Sequence, residues 1–320
     1  MARRRLSRQQ QNRIQAAQDA RFTSEQHLPG RVISHQGGQI LVELESQAVV
    51  ECKIKSNLGG IDCGDRVAIE AATAGGYRLT ALQKRDNLLQ RVDGSGQVRA
   101  IAANISRLFV CLAAKPEPNL FLLDQYLLSA EQQQIEVCIL LNKIDLLDDA
   151  DTDPFGLAQI YRPLNYKLIH TSVKSGAGME TFRARLQGEV SVLSGVSGVG
   201  KSSLTRWLVP EAGIKTASLS SATDEGRHTT RSSRLYHLPD PGGELIDTPG
   251  VRGFRPFIDS DIPLAQGFLD IYSIADRCRF HNCLHRSEPG CAVIEAAKNG
   301  EIKPSRFENY LKLLDQSASN

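Results

Sequence analysis

Short apolar stretches parted by glycine open the chain's hydrophobic pattern. Residues 31–33, 39–44, 49–54 and 66–69 alternate or run apolar, and turn residues separate them at 35–38, 57–60 and 63–65. Strands of this length and spacing predict a small antiparallel barrel, of OB type. A polar stretch, 85–104, connects it to a different regime. The continuous apolar runs 108–114 and 137–141 predict strands covered on both faces. Between them Leu122, Leu123, Tyr126, Leu127 and Ala130 recur at helical spacing. Strand and helix keep alternating through 167–170, 180–186 and 190–193, which predicts a parallel α/β sheet. The last stretch loses this alternation and reads as a separate helical and loop-rich unit. The expected organisation is an arm at 1–28, a barrel at 29–84, a connector at 85–104, an α/β domain at 105–258 and a small unit at 259–320.

Composition adds bounds. With 320 residues, 41% hydrophobic and 23% charged, wholesale disorder is excluded and two or three domains are expected. No run of about 18 apolar residues exists to span a bilayer. The N-terminus lacks the apolar segment of a secretory signal, so a cytoplasmic protein is expected. The net charge of +2 is unevenly placed: within residues 1–21, Arg3, Arg4, Arg5, Arg8, Arg13 and Arg21 face only Asp19. That arm is either a flexible polyanion contact or a solvated tail.

Chemistry enters at Gly195-Val196-Ser197-Gly198-Val199-Gly200-Lys201-Ser202, which fits Gly-x4-Gly-Lys-Ser/Thr. A strand leads in, and a helix beginning with Ser203 leads out. Successive backbone N–H groups of such a loop cradle phosphate, helped by the helix N-terminus. Lys201 is expected to act catalytically on the β- and γ-phosphates, and the Ser202 hydroxyl to bind Mg²⁺. Asn142-Lys143-Ile144-Asp145 follows the strand at 137–141 and matches the element that reads guanine. Its carboxylate accepts N1–H and the exocyclic amine, donors that adenine does not offer in that arrangement. Thr171-Ser172-Val173-Lys174, after the next strand, matches the weaker element that meets the guanine O6.

Asp247-Thr248-Pro249-Gly250 ends another strand as Asp-x-x-Gly. Asp247 is expected to hold Mg²⁺ and the Gly250 N–H to sense the γ-phosphate. Thr229 or Thr230, in a loop without apolar periodicity, offers a further Mg²⁺ ligand; the sequence leaves open which one. Val251 stands where a water-orienting glutamine is common, so another polar group must do that work, and His228 is the nearest candidate. The base-reading elements precede the phosphate loop, the reverse of the usual order. A circular permutant builds the same site from a sheet whose chain starts elsewhere.

Seven cysteines in a chain without an export signal argue against a disulfide framework. Cys278-x4-Cys283-x-His285-x5-Cys291 supplies three thiolates and one imidazole, enough to close a structural zinc site. His281 is a rival ligand. A small unit of low apolar content is stabilised by such a metal.

These motifs, with Gly64-Asp65-Arg66-Val67, Arg85-Asp86-Asn87-Leu88 and Ala102-Ala103-Asn104, resemble the RsgA family, bacterial circularly permuted GTPases dependent on the small ribosomal subunit. The resemblance covers nearly the whole chain. It implies an OB-type barrel, a permuted GTPase domain and a domain with one structural zinc. It also implies Mg²⁺ with GTP, late maturation of the small subunit with its rRNA as partner, and hydrolysis stimulated by the subunit and coupled to release, with His228 taking part. A monomer without membrane contact is expected. Two departures are Arg231, where a third threonine is common, and His281-Asn282 before Cys283, where aspartate often stands. The rival reading is an RNA-binding assembly protein whose nucleotide is structural; a metabolic kinase is disfavoured by the guanine motif.

Overall fold

The computed structural model describes residues 16, 21–22, 27–36, 39–54, 58–72, 75–147, 153–210, 233–239, 242–248, 257–259 and 262–318. Five strands form the first unit: β1 (Leu28–Gln36), β2 (Gln39–Leu44), β3 (Val49–Ile54), β4 (Arg66–Ala71) and β5 (Tyr77–Leu82). Their order is β1-β2-β3-β5-β4, and β4 closes back on β1. Only the β3–β5 pair is parallel. Alternation sends Val32, Ile40, Val42, Cys52, Val67, Ile69 and Leu79 into one interior. Sequence periodicity had not indicated β5, since Gly75 and Gly76 precede it and Arg78 and Thr80 interrupt its apolar positions.

The stretch read as a connector carries a hairpin, β6 (Leu88–Val92) and β7 (Val98–Ala103), in a sheet of its own. Its polar face masks the pattern, while Leu89, Ile101 and Ala102 join the core beneath the next domain.

That domain is a parallel sheet with one antiparallel edge. Strands β8 (Arg107–Ala113), β9 (Glu136–Asn142), β10 (Lys167–His170), β11 (Val190–Ser194), β12 (Arg234–His237) and β13 (Glu244–Asp247) lie in the order β10-β9-β8-β11-β13-β12. All neighbours run parallel except β12 and β13. The sheet is covered on both faces, which is why β8 is buried along its whole length. Helices α1 (Leu120–Gln132) and α2 (Leu157–Tyr161) pack on one face. Helices α3 (Met179–Ala184) and α4 (Lys201–Leu208) pack on the other. β12 also pairs with β1 of the barrel through Ser34 and Arg234, so both units share one eleven-stranded sheet.

The C-terminal unit contains α5 (Leu269–Ala275), α6 (Ala292–Lys298) and α7 (Pro304–Ala318). Its core of Phe268, Ile271, Val293, Ile302, Tyr310 and Leu313 is completed by Leu128 from α1. The chain is thus an α/β protein: a barrel, a permuted P-loop sheet and a small helical unit bearing a cysteine cluster.

Candidate guanine-nucleotide site and metal centre

Parallel strands deliver their C-terminal ends to one rim of the sheet, where open α/β sheets bind ligands. The ends of β11, β9, β10 and β13 bring the phosphate loop, Asn142–Asp145, Thr171–Lys174 and Asp247 to that rim. Gly195 and Gly200 have φ of +146° and +98°. Only glycine adopts these angles readily, and a Cβ at Gly195 would also strike the Cys111 carbonyl. Between them, Val196, Ser197, Gly198 and Val199 carry the loop into α4, where Ser202 and Ser203 lie in the first turn.

Lys201 is 8% exposed and its Nζ donates to the carbonyls of Gly195 (2.7 Å) and Val196 (2.8 Å). Burial lowers its pKa, while Asp247 nearby favours the charged form. Burial pushes the Asp247 carboxyl up to about 6, against the pull of Lys201. A buried carboxylate beside a phosphate loop that ends in Ser202 suits a dication.

Asn142 ties the strand end to the phosphate loop. Its amide donates to the Val199 carbonyl (2.9 Å) and its oxygen accepts from the Thr171 hydroxyl (3.2 Å). A Cβ on Gly200 would collide with that amide, so base-reading strand and phosphate loop interlock. Lys143, at φ +62°, sends its Nζ to the Lys115 carbonyl (3.1 Å) and to that of Gly198. Ile144 begins the short turn that presents Asp145. The Asp145 carboxylate accepts from the Ser172 hydroxyl (2.6 Å) and lies 3.9 Å from Lys174 Nζ. The bracing role of Thr171 was not apparent from sequence, because a threonine at a strand end carries no signal of its own. His228, Thr229, Thr230, Gly250 and Val251 lie outside the described residues, as does most of the 1–28 arm.

In the C-terminal unit Cys278, Cys283, His285 and Cys291 place their ligand atoms within 4.8 Å of one another. The Cys278–Cys291 sulfur separation is 3.8 Å, and His285 Nδ1 lies 3.6 and 3.4 Å from the same two sulfurs. A tetrahedron with metal–sulfur bonds of ~2.3 Å has sulfur–sulfur edges of about 3.8 Å. The cluster therefore has the dimensions of a four-coordinate centre. Burial, then the neighbouring sulfurs, push the Cys283 thiol well above its usual value. A central cation would reverse that sign. Burial lowers the His285 pKa, keeping the ring neutral as a ligand must be. His281 is not among the clustered residues.

A phosphate-cradling loop, an interlocked Asn-Lys-x-Asp turn and a sheet whose base-reading strands come first define a circularly permuted GTPase. A family model described as RsgA GTPase matches residues 82–256. A small ribosomal subunit biogenesis GTPase RsgA from Saccharophagus degradans is 37% identical, over 98% of this chain and 97% of that one. The Pseudomonas putida protein of the same name is 36% identical, over 100% and 99%. YjeQ from Thermotoga maritima superposes with a TM-score of 0.69 at 31% identity, covering 92% of this chain and 99% of that one. YloQ, described as a circularly permuted GTPase, gives 0.68 at 27%, covering 92% and 96%. This chain belongs to the RsgA GTPase family.

Proposed function

We propose that this protein hydrolyses GTP on the small ribosomal subunit late in that particle's maturation, the subunit stimulating hydrolysis and hydrolysis releasing the protein. The observation that carries the nucleotide reading is the interlock of Asn142, Gly200 and the Val199 carbonyl, which fixes the Asp145 turn against the phosphate loop. The relatives' names support the ribosomal partner.

In this reading Asp145 takes the guanine edge, and backbone N–H groups of the phosphate loop and Gly250 take the phosphates. Lys201 leaves its own carbonyls for the β- and γ-phosphates. Mg²⁺, which neutralises charge on the transferred phosphoryl group, would be held by Ser202 and Asp247 with Thr229 or Thr230. His228 orients the attacking water. The cluster of Cys278, Cys283, His285 and Cys291 holds one Zn²⁺, whose part is structural since four protein ligands leave no open position. The arm, barrel and zinc unit face rRNA. A cytoplasmic monomer suits this work; among the described residues no helix is long and apolar enough to cross a membrane.

The decisive experiment compares GTP and ATP turnover with and without small subunits. GTP-selective turnover that rises on the subunit is expected. A subunit-bound protein that never turns GTP over would leave the nucleotide structural and overturn the reading. His228→Ala is expected to keep GTP and subunit binding yet lose stimulated turnover by ~10²-fold, the scale of a positioned catalytic side chain. Stimulated turnover within a few-fold of wild type would remove His228 from the reaction.

A further inference from the structure

Helix α1 touches both the phosphate loop and the C-terminal unit, through side chains only two positions apart. Tyr126 is fully buried. The Ser194 hydroxyl donates to its phenolic oxygen at 3.0 Å. Ser194 ends β11 and Gly195 opens the phosphate loop. The Tyr126 hydroxyl thus holds the residue at which the strand turns into the loop. The next carbonyl along, that of Gly195, is one that holds Lys201.

On the same helix Asp124 is also fully buried, and Arg306, Asn309 and Tyr161 all donate to it. Arg306 Nη1 reaches it at 2.6 Å, Asn309 Nδ2 at 2.7 Å and Tyr161 OH at 2.9 Å. Arg306, 1% exposed, bonds Asp270 through Nε and Nη2 at 3.1 and 2.8 Å and lies over the Phe268 ring. A buried ion cluster is a costly way to join two units, since apolar packing does so as well; its established use elsewhere is to fix register. Here the joined elements are α1 and α7. Leu128 packs into the C-terminal core one turn beyond Asp124, so the junction is continuous.

We propose that Tyr126 is a positioning residue for the phosphate loop, and that α1, held through Asp124 by Arg306 and Asn309, is the element by which the C-terminal unit sets that loop. The proposal rests on the nucleotide reading above. It gives the permuted chain a route between its C-terminal unit and its phosphate site that does not pass through the Asp-x-x-Gly segment. Ser194–Gly195 keeps one orientation only while α1 keeps its register, and that register is fixed from the far side by α7.

The test uses the full chain and N-methylanthraniloyl-GDP, with melting temperature and bound metal as controls for folding. Tyr126→Phe keeps the ring and removes the oxygen. It is expected to raise the Kd for the probe and the KM for GTP about fivefold, one hydrogen bond's worth, with kcat within twofold. Asn309→Ala, far from the nucleotide, is chosen because changing Arg306 would strand the buried Asp124 and the half-buried Asp270. It is expected to raise the Kd about threefold in the wild-type background and hardly at all in Tyr126→Phe. If Tyr126→Phe lowers the melting temperature while Kd and KM stay within twofold, the tyrosine only packs and the proposal fails. Equal effects of Asn309→Ala in both backgrounds would overturn the link through α1. Failure of the wild type to bind the probe would overturn the nucleotide site itself, and this proposal with it.

Discussion

Asp145 has its carboxylate ready before any base arrives, because the Ser172 hydroxyl already orients one oxygen and Lys174 stands near the other. In the proposed reading guanine would set two donors on an aimed acceptor, and selectivity would come from what adenine leaves unpaired. Asp145→Asn is expected to weaken GTP binding strongly and to favour xanthosine triphosphate, whose carbonyl replaces the amine donor. Competition between the two nucleotides in a turnover assay checks this, and unchanged GTP preference would remove 142–145 from the site. Gly200 is constrained from two sides, by its φ of +98° and by the Asn142 amide. Gly200→Ala is therefore expected to abolish nucleotide binding while leaving bound metal intact, read by fluorescence titration and metal analysis of one sample.

The phosphate loop and the cysteine cluster were legible in the sequence because each is a local run whose spacing is itself the chemistry. What escaped was made by contacts between distant segments. Asp124 is one polar position inside the apolar stripe of α1, and Arg306 is one arginine in a charged helix; nothing near either announces that they meet. The hairpin β6–β7 was hidden by its polar face, and β12 is only four residues long. The cysteine element also has a support that its spacing did not reveal. Burial would raise the Glu288 carboxyl, but the backbone N–H groups of Leu284, Ser287 and Arg286 hold it down at about 2. That contact shapes the turn where His285 sits at φ +60°. Its contribution is complete above the usual value of 4.5 and is lost as pH falls through about 2. Glu288→Gln is expected to speed metal loss to a chelator at neutral pH by ~10-fold, the scale for groups that orient metal ligands. Cys283→Ser is expected to lose the metal outright, and its full retention would refute the ligand set. In either variant the nucleotide pocket is expected to suffer less than the C-terminal unit.

Across the whole molecule, the barrel and the GTPase sheet are joined by backbone pairing and by charge. Ser34 pairs with Arg234, Arg31 bonds Glu244, and His237 lies 2.7 Å from Glu43 and 3.6 Å from Glu244. Arg31→Ala is expected to cost about 1 kcal/mol, the order of one charge-assisted contact that is partly solvent-screened, visible as a melting shift of a few degrees. Hydrogen exchange should quicken at β12 before it does at β8. The shared sheet also decides how this protein meets other chains. An unpaired β-strand edge invites any extended peptide to add itself, whether a legitimate effector or an aggregating neighbour. On the β12 side the molecule's own barrel meets that edge at Ser34 and Arg234, and the barrel closes on itself behind it. Among the described residues, the barrel therefore narrows the stretch of backbone which that flank offers to an extended peptide.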